Sequence, residues 1–574
     1  MNKPWAEAPI TNKTYNELGH MIYEKQLFSQ LDMSFARFLS DRSLLDSSQK
    51  QTFENLVMSL SFEQSQGHNC IQIDEEAKTL VIASGLALID TNNHEITTKL
   101  PLIIEQDRLY LHRYWFYESR LALQLTKMTL LNVSREQKNN ENTKTLLDNY
   151  FGISDAIDWQ RAAAIMAVNQ AFCIITGGPG TGKTTTVVKI LAILQELSDQ
   201  PLLIALAAPT GKAAMRLQES IGFNKAALPC TVTIKSAIPE TVMTLHRLLG
   251  AKPPSPYFRH NAKQPLVYDL VVVDEASMVD LALMSKLVDA LKPNARLILL
   301  GDKDQLASVE SGAVLADLTM ALPQQTLELQ KSHRFEEDIK NLAIAINLQQ
   351  DAEAWQLLQA GNKNIALLET NLIDYISKQQ IDYLHLISAG AEFSVIYKAF
   401  NRFQALCATR LGKNSVSDIT QAVEQSLSSK KLIHLTGLWY CGRPIMISQN
   451  NAALQLYNGD IGICLRDKEQ GDQLRVFFQQ ADGSIKKYLP ARIPHCETVF
   501  AMTIHKSQGS EFEEVLIILP ETINPVLTKE LLYTAITRAK KTIKLVANAD
   551  VFSSTVRQKV QRVTGLINKF PIKN

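Results

Sequence analysis

Paired cysteines, charge of one sign and long apolar runs are all missing from this chain of 574 residues. Its seven cysteines (Cys70, Cys173, Cys230, Cys407, Cys441, Cys464, Cys496) include no Cys-x-x-Cys pair, which argues against a zinc or iron–sulfur site and against a disulfide framework. Isolated thiols in odd number suit a reducing cytosol. The 59 basic side chains against 58 acidic ones leave a formal charge of +1, so no global field advertises a polyanionic partner and any nucleic-acid site must be a local groove. Met1 to Glu7 leads into charged and amide residues instead of a signal core. The longest apolar stretch near the start, Leu80 to Ile89, is too short to cross a bilayer, and no membrane role is expected. What remains is an ordinary soluble composition, 46% hydrophobic and 20% charged, long enough for about four domains of ~150 residues.

The chain is organised around Gly177-Gly178-Pro179-Gly180-Thr181-Gly182-Lys183-Thr184. The apolar run Ala171 to Ile175 precedes it, and a segment with helical spacing (Val187, Ile190, Leu191, Leu194, Leu197) follows. Strand, glycine-rich loop and helix make a phosphate cradle. Glycines let backbone N–H groups turn inward on an anion, the helix N-terminus adds its positive end, and Lys183 reaches the outer phosphates. Thr184 supplies a hydroxyl to Mg²⁺, with Thr185 beside it. Gln160 lies seventeen residues ahead of Gly177, where an amide can reach adenine.

Further β-type runs end in polar residues: Leu202 to Ala208 leads into Pro209-Thr210-Gly211-Lys212, Leu270 to Val273 into Asp274-Glu275, and Arg296 to Leu300 into Gly301-Asp302-Lys303-Asp304-Gln305. Strands of this kind alternating with helices indicate an α/β fold with an open parallel sheet, whose ligands sit at the carboxyl edge. A carboxylate at a buried strand end is costly unless it meets a cation, so Asp274 is assigned to Mg²⁺ through its water shell. Glu275 is placed to orient and deprotonate the attacking water. Gln305 is placed to sense the γ-phosphate.

Elsewhere the chain is read by texture. Residues 14 to 65 are mostly helical, and strand-like runs follow at Leu80 to Leu88 and Arg108 to Trp115. This first part has no chemical signature and reads as a docking or scaffolding domain. Ser134 to Lys144 is polar and reads as linker. A helical region covers 336 to 400, and a second sheet is expected from Ala405 to Ala408, Val515 to Leu519 and Ile543 to Val546. Between 436 and 499 come short alternating runs with turn signals at Asn458-Gly459, Gln470-Gly471-Asp472 and Asp482-Gly483, a small antiparallel barrel inserted into the second sheet domain. The polar donors and glycine of Thr503-Ile504-His505-Lys506-Ser507-Gln508-Gly509 suit a phosphate backbone or the far side of a nucleotide. Arg538, on a helix by spacing, is placed to meet the γ-phosphate across a cleft.

Taken together, these segments resemble the motifs of superfamily 1 helicases. The match runs through the cradle, Ala208 to Ala214, Thr244 to Gly250, Val273 to Asp280, Leu300 to Leu306, Ser332-His333-Arg334-Phe335, Thr503 to Phe512 and Tyr533 to Lys540. Within that superfamily the wording is similar to the RecD family, α subunits of exodeoxyribonuclease V, notably at Ser308 to Leu315 and Leu456-Tyr457-Asn458-Gly459-Asp460-Ile461-Gly462. The resemblance implies two RecA-like P-loop NTPase domains that clamp ATP and move 5′ to 3′ on single-stranded DNA, an SH3-like barrel insertion and an N-terminal α+β docking domain. The implied division is 1–115 for docking, 116–149 as linker, 150–333 as the first RecA-like domain, 334–435 with 500–574 as the second, and 436–499 as the insertion. It implies catalytic roles for Lys183, Glu275, Gln305, Arg334 and Arg538, and DNA contacts from Thr210, Lys212, Thr244, His246, Thr503, His505 and Ser507, with Lys506 and Glu511 as further candidates. Implied partners are RecB-like and RecC-like subunits, acting on double-stranded DNA ends during recombinational repair. Two rival readings are a free-standing RecD-like helicase, whose helix-hairpin-helix repeats are not found here, and a nucleotide-dependent DNA-binding switch that does not move.

Overall fold

The computed structural model describes residues 28–90, 100–131, 140–153, 157–308, 311–330, 336–451, 453–480, 483–493 and 495–571. Helices α1 (Gln30–Ser40) and α2 (Ser47–Ser65) each start with a capping box, Ser29 with Asp32 and Asp46 with Gln49, which satisfies N–H groups a helix start leaves unpaired. They pack with α3 (Glu75–Ala83) on a small sheet of β1 (Cys70–Gln72), β2 (Ala87–Ile89), β3 (Leu102–Glu105) and β4 (Arg108–Leu111), in the order β1-β4-β3-β2. Phe53, Val57, Leu60, Ile71 and Ile104 fill its core.

Two strand expectations are corrected here. Leu80 to Ala83 finishes α3, because Asp74 caps the helix by accepting from the Ala77 N–H and Gly85 at φ +70° ends it. The second run keeps its strand only to Leu111 and then turns into α4 (His112–Leu130).

That helix also corrects the linker expected at 116–149. Leu121, Ala122, Leu125 and Met128 form one helical stripe, buried with Val271, Leu287 and Leu297. A second helix, α5 (Asn140–Phe151), buries Leu146, Leu147 and Tyr150 against Ala163, Val187 and Leu191. Residues 132–139 of the expected linker lie outside the described residues.

The first large sheet contains β5 (Phe172–Thr176), β6 (Ile204–Ala208), β7 (Val242–Thr244), β8 (Leu270–Val273), β9 (Arg296–Gly301) and β10 (Thr326–Glu328). It is parallel throughout, in the order β10-β5-β9-β8-β6-β7. Every residue of β5, β6 and β8 is buried, as parallel strands covered on both faces require. Its flanking helices include α6 (Trp159–Asn169), α7 (Lys183–Glu196) and α8 (Gly211–Ala226).

The second large sheet is also parallel. Its strands β11 (Ile365–Leu367), β12 (Phe403–Cys407), β18 (Ala501–Thr503), β19 (Phe512–Ile518) and β20 (Ala539–Val546) run in the order β11-β20-β19-β12-β18. Between β12 and β18 the chain makes β13 (Pro444–Ile447), β14 (Ile461–Asp467), β15 (Gln473–Gln479), β16 (Ile485–Tyr488) and β17 (Cys496–Thr498), an antiparallel sheet in the order β16-β15-β14-β13-β17. The period of two divides its side chains. Ile461, Ile463 and Leu465 join the core of the second lobe, while Cys464, Val476, Phe478 and Ile445 form the insertion's own.

Helix α9 (Lys529–Ile536) lies between β19 and β20. The expectation that all of 500–574 belongs to the second RecA-like domain is corrected by the tail. Leu566 and Phe570 are buried beside Tyr114 and Leu121 in the core of the first lobe. Lys569 pairs with Glu105 and lies over the rings of Tyr110 and Trp115. Among the described residues no helix is long and apolar enough to cross a membrane. All seven cysteines are free thiols.

Candidate active site

The glycine-rich loop leaves β5 at Thr176 and enters α7 at Lys183. Gly177, Gly180 and Gly182 have φ of +153°, +78° and +83°, values that L side chains resist. At Gly177 a Cβ would come within 2.9 Å of the Leu329 carbonyl oxygen, so space as well as conformation demands glycine. The Lys183 ammonium donates to the Gly177 and Gly178 carbonyls at 2.6 and 3.0 Å. Gln160 lies against the same loop and donates to the Thr181 carbonyl at 3.3 Å.

A cavity of about 850 Å³ opens over this loop, lined by Pro179, Lys183, Thr184, Thr185, Asp274, Glu275 and Gln305 from the first lobe and by Glu511 and Arg538 from the second. Asp274 follows the buried end of β8 and accepts the Glu275 N–H at 2.9 Å. Burial, then the neighbouring Glu275 carboxylate, push Asp274 up to about 6, against the pull of Lys183. Glu275 has φ +51°, a left-handed conformation that costs energy in a residue with a Cβ and is found where a side chain must be aimed. A threonine hydroxyl and a carboxylate with raised proton affinity on one cavity wall are hard oxygen donors of the kind Mg²⁺ takes, and Thr184 with Asp274 fit that ion.

Asp302 and Asp304 flank Lys303 just beyond β9, on the strand end that leads to Gln305. Among the described residues no cluster of three or more His, Cys, Asp or Glu is placed to hold a metal. Instead Asp302, 2% exposed, is a junction: it accepts from Gln305 Nε2 at 2.9 Å and from the Tyr533 hydroxyl of α9 at 3.1 Å. Burial pushes its carboxyl up to about 6. Leu306, next in the chain, is clasped by the second lobe on both backbone groups. Its N–H donates to the Thr534 hydroxyl at 2.9 Å, and its carbonyl accepts from Gln508 Nε2 at 2.9 Å.

Arg538 is also 2% exposed. It follows the end of α9 and donates to the carbonyls of Thr534 at 3.0 Å and Ser510 at 3.3 Å. Burial draws its guanidinium below the ordinary value, while Glu275 and Glu511 favour the charged form. Arg334 lies outside the described residues. The sequence reading missed Arg216, which lines the cavity and crosses to the second lobe, donating to the Gly509 carbonyl at 2.6 Å and pairing with Glu511 at 3.0 Å. It lies one helical turn beyond Lys212 on α8, and that spacing is the signal that would have found it.

The residues expected on DNA fall at strand ends. Thr210 caps α8, accepting from the Ala213 N–H at 3.2 Å, and Lys212 is in the first turn. Burial and then Arg216 bring the Lys212 ammonium down to about 8. Thr244 caps the short helix Leu245–Leu249, where His246 meets the Phe258 ring edge-on at 5.7 Å. Thr503 ends β18 and accepts from the Lys506 N–H at 3.4 Å. His505, whose ring burial pushes to lower pKa, begins a turn of 3-10 helix, and the Lys506 ammonium pairs with Glu497. Ser507 is fully buried and donates its hydroxyl to the Ile504 carbonyl at 2.7 Å.

Three family models match the chain: an AAA domain over 160–311, a UvrD-like helicase C-terminal domain over 498–546, and the N-terminal domain of the RecBCD enzyme subunit RecD over 24–108. RecBCD enzyme subunit RecD of Haemophilus influenzae is 34% identical, covering 95% of this chain and 98% of its own length. The subunit of the same name from Mycolicibacterium smegmatis is 39% identical over 80% of this chain and 82% of its own. An ATP-dependent RecD2 DNA helicase of Deinococcus radiodurans is 32% identical over 69% of this chain, which spans only 50% of that protein. With a phosphate cradle, a strand-end acidic pair and a helicase C-terminal lobe in one chain, and relatives matched along nearly their whole length, the protein belongs to the family of RecD subunits of the RecBCD enzyme, which are ATP-dependent DNA helicases.

Proposed function

We propose that this chain moves 5′ to 3′ along single-stranded DNA by closing and reopening the cleft between its two RecA-like lobes once per ATP. The observation that carries the reading is the position of Arg538, a buried arginine of the second lobe on the wall of the cavity that Lys183, Glu275 and Gln305 line from the first. A guanidinium offered across an interface to a transferring phosphoryl group is worth ~10³ to 10⁵ in rate. In this reading Gly177 to Gly182 cradle the phosphates, Lys183 neutralises the outer ones, and Gln160 meets the base. Glu275 holds and deprotonates water, and Gln305 reports the γ-phosphate. Arg334 serves the same hydrolysis. Mg²⁺, held by Thr184 and Asp274, supplies charge neutralisation between the phosphates when bound.

Thr210, Lys212, Thr244 and His246 on one lobe, with Thr503 and His505 on the other, grip phosphates and stacked bases and so tolerate any sequence. The antiparallel insertion is an SH3-like barrel, and residues up to about 111 dock on a RecC-like subunit in a cytoplasmic complex that also holds a RecB-like subunit. The complex acts on double-stranded DNA ends in recombinational repair.

The test is strand separation by the full chain, alone and with RecB-like and RecC-like chains. A duplex with a 5′ single-stranded tail is expected to open with ATP and Mg²⁺, and one with a 3′ tail to stay paired in the presence of this chain alone. Hydrolysis without separation in any combination would make the chain a nucleotide-gated DNA-binding switch.

A further inference from the structure

The loop that follows the glutamine motif is held from outside the nucleotide cavity. Its Gly312 N–H donates to the Gly67 carbonyl at 3.0 Å, and the Ser311 hydroxyl donates to the Gln64 carbonyl at 3.3 Å, both just at or beyond the end of α2 in the N-terminal unit. From the other side comes Arg562 of the tail. One terminal nitrogen donates to the Gly312 carbonyl and the other to the Ser308 carbonyl, each at 2.7 Å. A planar guanidinium fork is the side chain suited to two such acceptors at once. The fit is close: a Cβ at Gly67, which has φ +96°, would come within 3.0 Å of the Arg562 guanidinium carbon.

The neighbours of Arg562 continue the connection in both directions. Upstream, the Val560 N–H donates to the Glu530 carboxylate of α9 at 3.1 Å. Downstream, the Val563 N–H donates to His68 Nδ1 at 3.0 Å, and the Val563 carbonyl accepts the Asn69 N–H at 2.9 Å. The Thr564 hydroxyl donates to the buried Glu118 carboxylate at 2.9 Å, and the Asn69 side chain donates to the same oxygen at 2.8 Å. The tail therefore runs from the helix that clasps Leu306, over the loop after Gln305, into the seam between the N-terminal unit and the first lobe.

We propose that Arg562 is a positioning residue for ATP turnover: by bonding to the Ser308 and Gly312 carbonyls it fixes the Gln305–Leu306 segment, and through the adjoining tail it couples that segment to the N-terminal unit. The inference rests on the reading of Gln305 as a phosphate sensor. Arg562 does not line the cavity, so its removal takes away none of the cavity-lining side chains and changes how often Gln305 and Leu306 are aligned. That predicts an effect on turnover and little on ATP capture.

The experiment is DNA-stimulated ATP hydrolysis by the full chain across ATP concentrations, with thermal melting of each variant and Lys183→Ala as the dead control. Arg562→Ala is expected to lower kcat about tenfold with KM for ATP changed less than about twofold, and Arg562→Lys, which keeps the charge and one donor nitrogen but not the fork, to recover part of the loss. A kcat within about twofold of wild type overturns the positioning role, as does a rise in KM that matches the fall in kcat. If Arg562→Ala does not fold, Arg562→Lys decides by the same split, with an unchanged kcat overturning the proposal. A wild-type chain no more active than Lys183→Ala would sink the reading of the cavity and this inference together. An active wild type beside a normal Arg562→Ala sinks this inference alone.

Discussion

Replacing Arg538 by alanine separates two contributions that the structure allows to be weighed. The side chain is buried and donates to the Thr534 and Ser510 carbonyls, with a longer contact to the Thr537 hydroxyl at 3.4 Å. Each such bond is worth about 0.5–1.5 kcal/mol net, so the three together should be worth roughly 1.5–4.5 kcal/mol to the fold, less whatever the desolvated charge was costing. That is smaller than the ~5–15 kcal/mol by which domains are stable, and the variant should remain folded. The catalytic loss expected from the proposed role is larger. A cross-interface arginine worth ~10³ to 10⁵ in rate corresponds to about 4–7 kcal/mol of transition-state stabilisation. Steady-state hydrolysis with saturating single-stranded DNA, paired with equilibrium binding of a fluorescent ATP analogue, is the assay. The expected result is a kcat reduced by at least ~10³ with analogue affinity altered only a few-fold. Equal losses in kcat and affinity would mean that Arg538 merely positions nucleotide, and an unaltered kcat would refute its transition-state role.

Other expectations can be checked with single variants. Glu275→Gln keeps the size and the left-handed turn but removes the base, so it should bind ATP and DNA normally while kcat falls about 10²–10⁴-fold; normal turnover would dismiss Glu275 as the base. Lys212, brought down to about 8, is charged below that pH and neutral above it. Single-stranded DNA affinity measured by anisotropy should therefore weaken between pH 7 and 9, and Lys212→Arg should flatten that dependence; identical pH profiles would refute a Lys212 phosphate contact. At Gly565 a Cβ would strike the Tyr110 hydroxyl and come within 3.3 Å of both Glu118 and Glu105. Gly565→Ala should cost about 1–3 kcal/mol by overpacking, read as a lower melting temperature; an unshifted melt would show that the tail is not seated in that seam.

Much of the site was legible because its signals are local. The glycine-rich loop works through the backbone of a few consecutive residues, and Asp274-Glu275 stands at the end of a four-residue apolar strand, so both are recorded in short stretches of chain. The junction between lobes was not. Leu306 meets Thr534 across 228 positions and Tyr533 meets Asp302 across 231, and no local pattern encodes which residues will face each other over such separations. The error at 116–130 has a similar cause. Arg108 to Trp115 reads as one strand-like run followed by linker, yet the stripe Leu121, Leu125 and Met128 finds its partner in the first large sheet, and that tertiary burial selects the helix.

Ser507 and the tail show the same division from the other side. The motif offers Ser507 as a polar donor, and in the fold a turn of 3-10 helix brings its hydroxyl onto the Ile504 carbonyl. Nothing about residues 560–571 read as special, yet they cross to a different core because Leu566 and Phe570 bury there. By itself the sequence determined the chemistry available: an anion nest, a strand-end acidic pair, and cationic and amide side chains on the strand ends and turns that meet a nucleotide. Only the tertiary structure decided which of these groups converge on one cavity and which are spent on internal hydrogen bonds. Convergence depends on how the two parallel-sheet lobes meet and on the route of the tail, which arise from apolar burial summed over the whole chain.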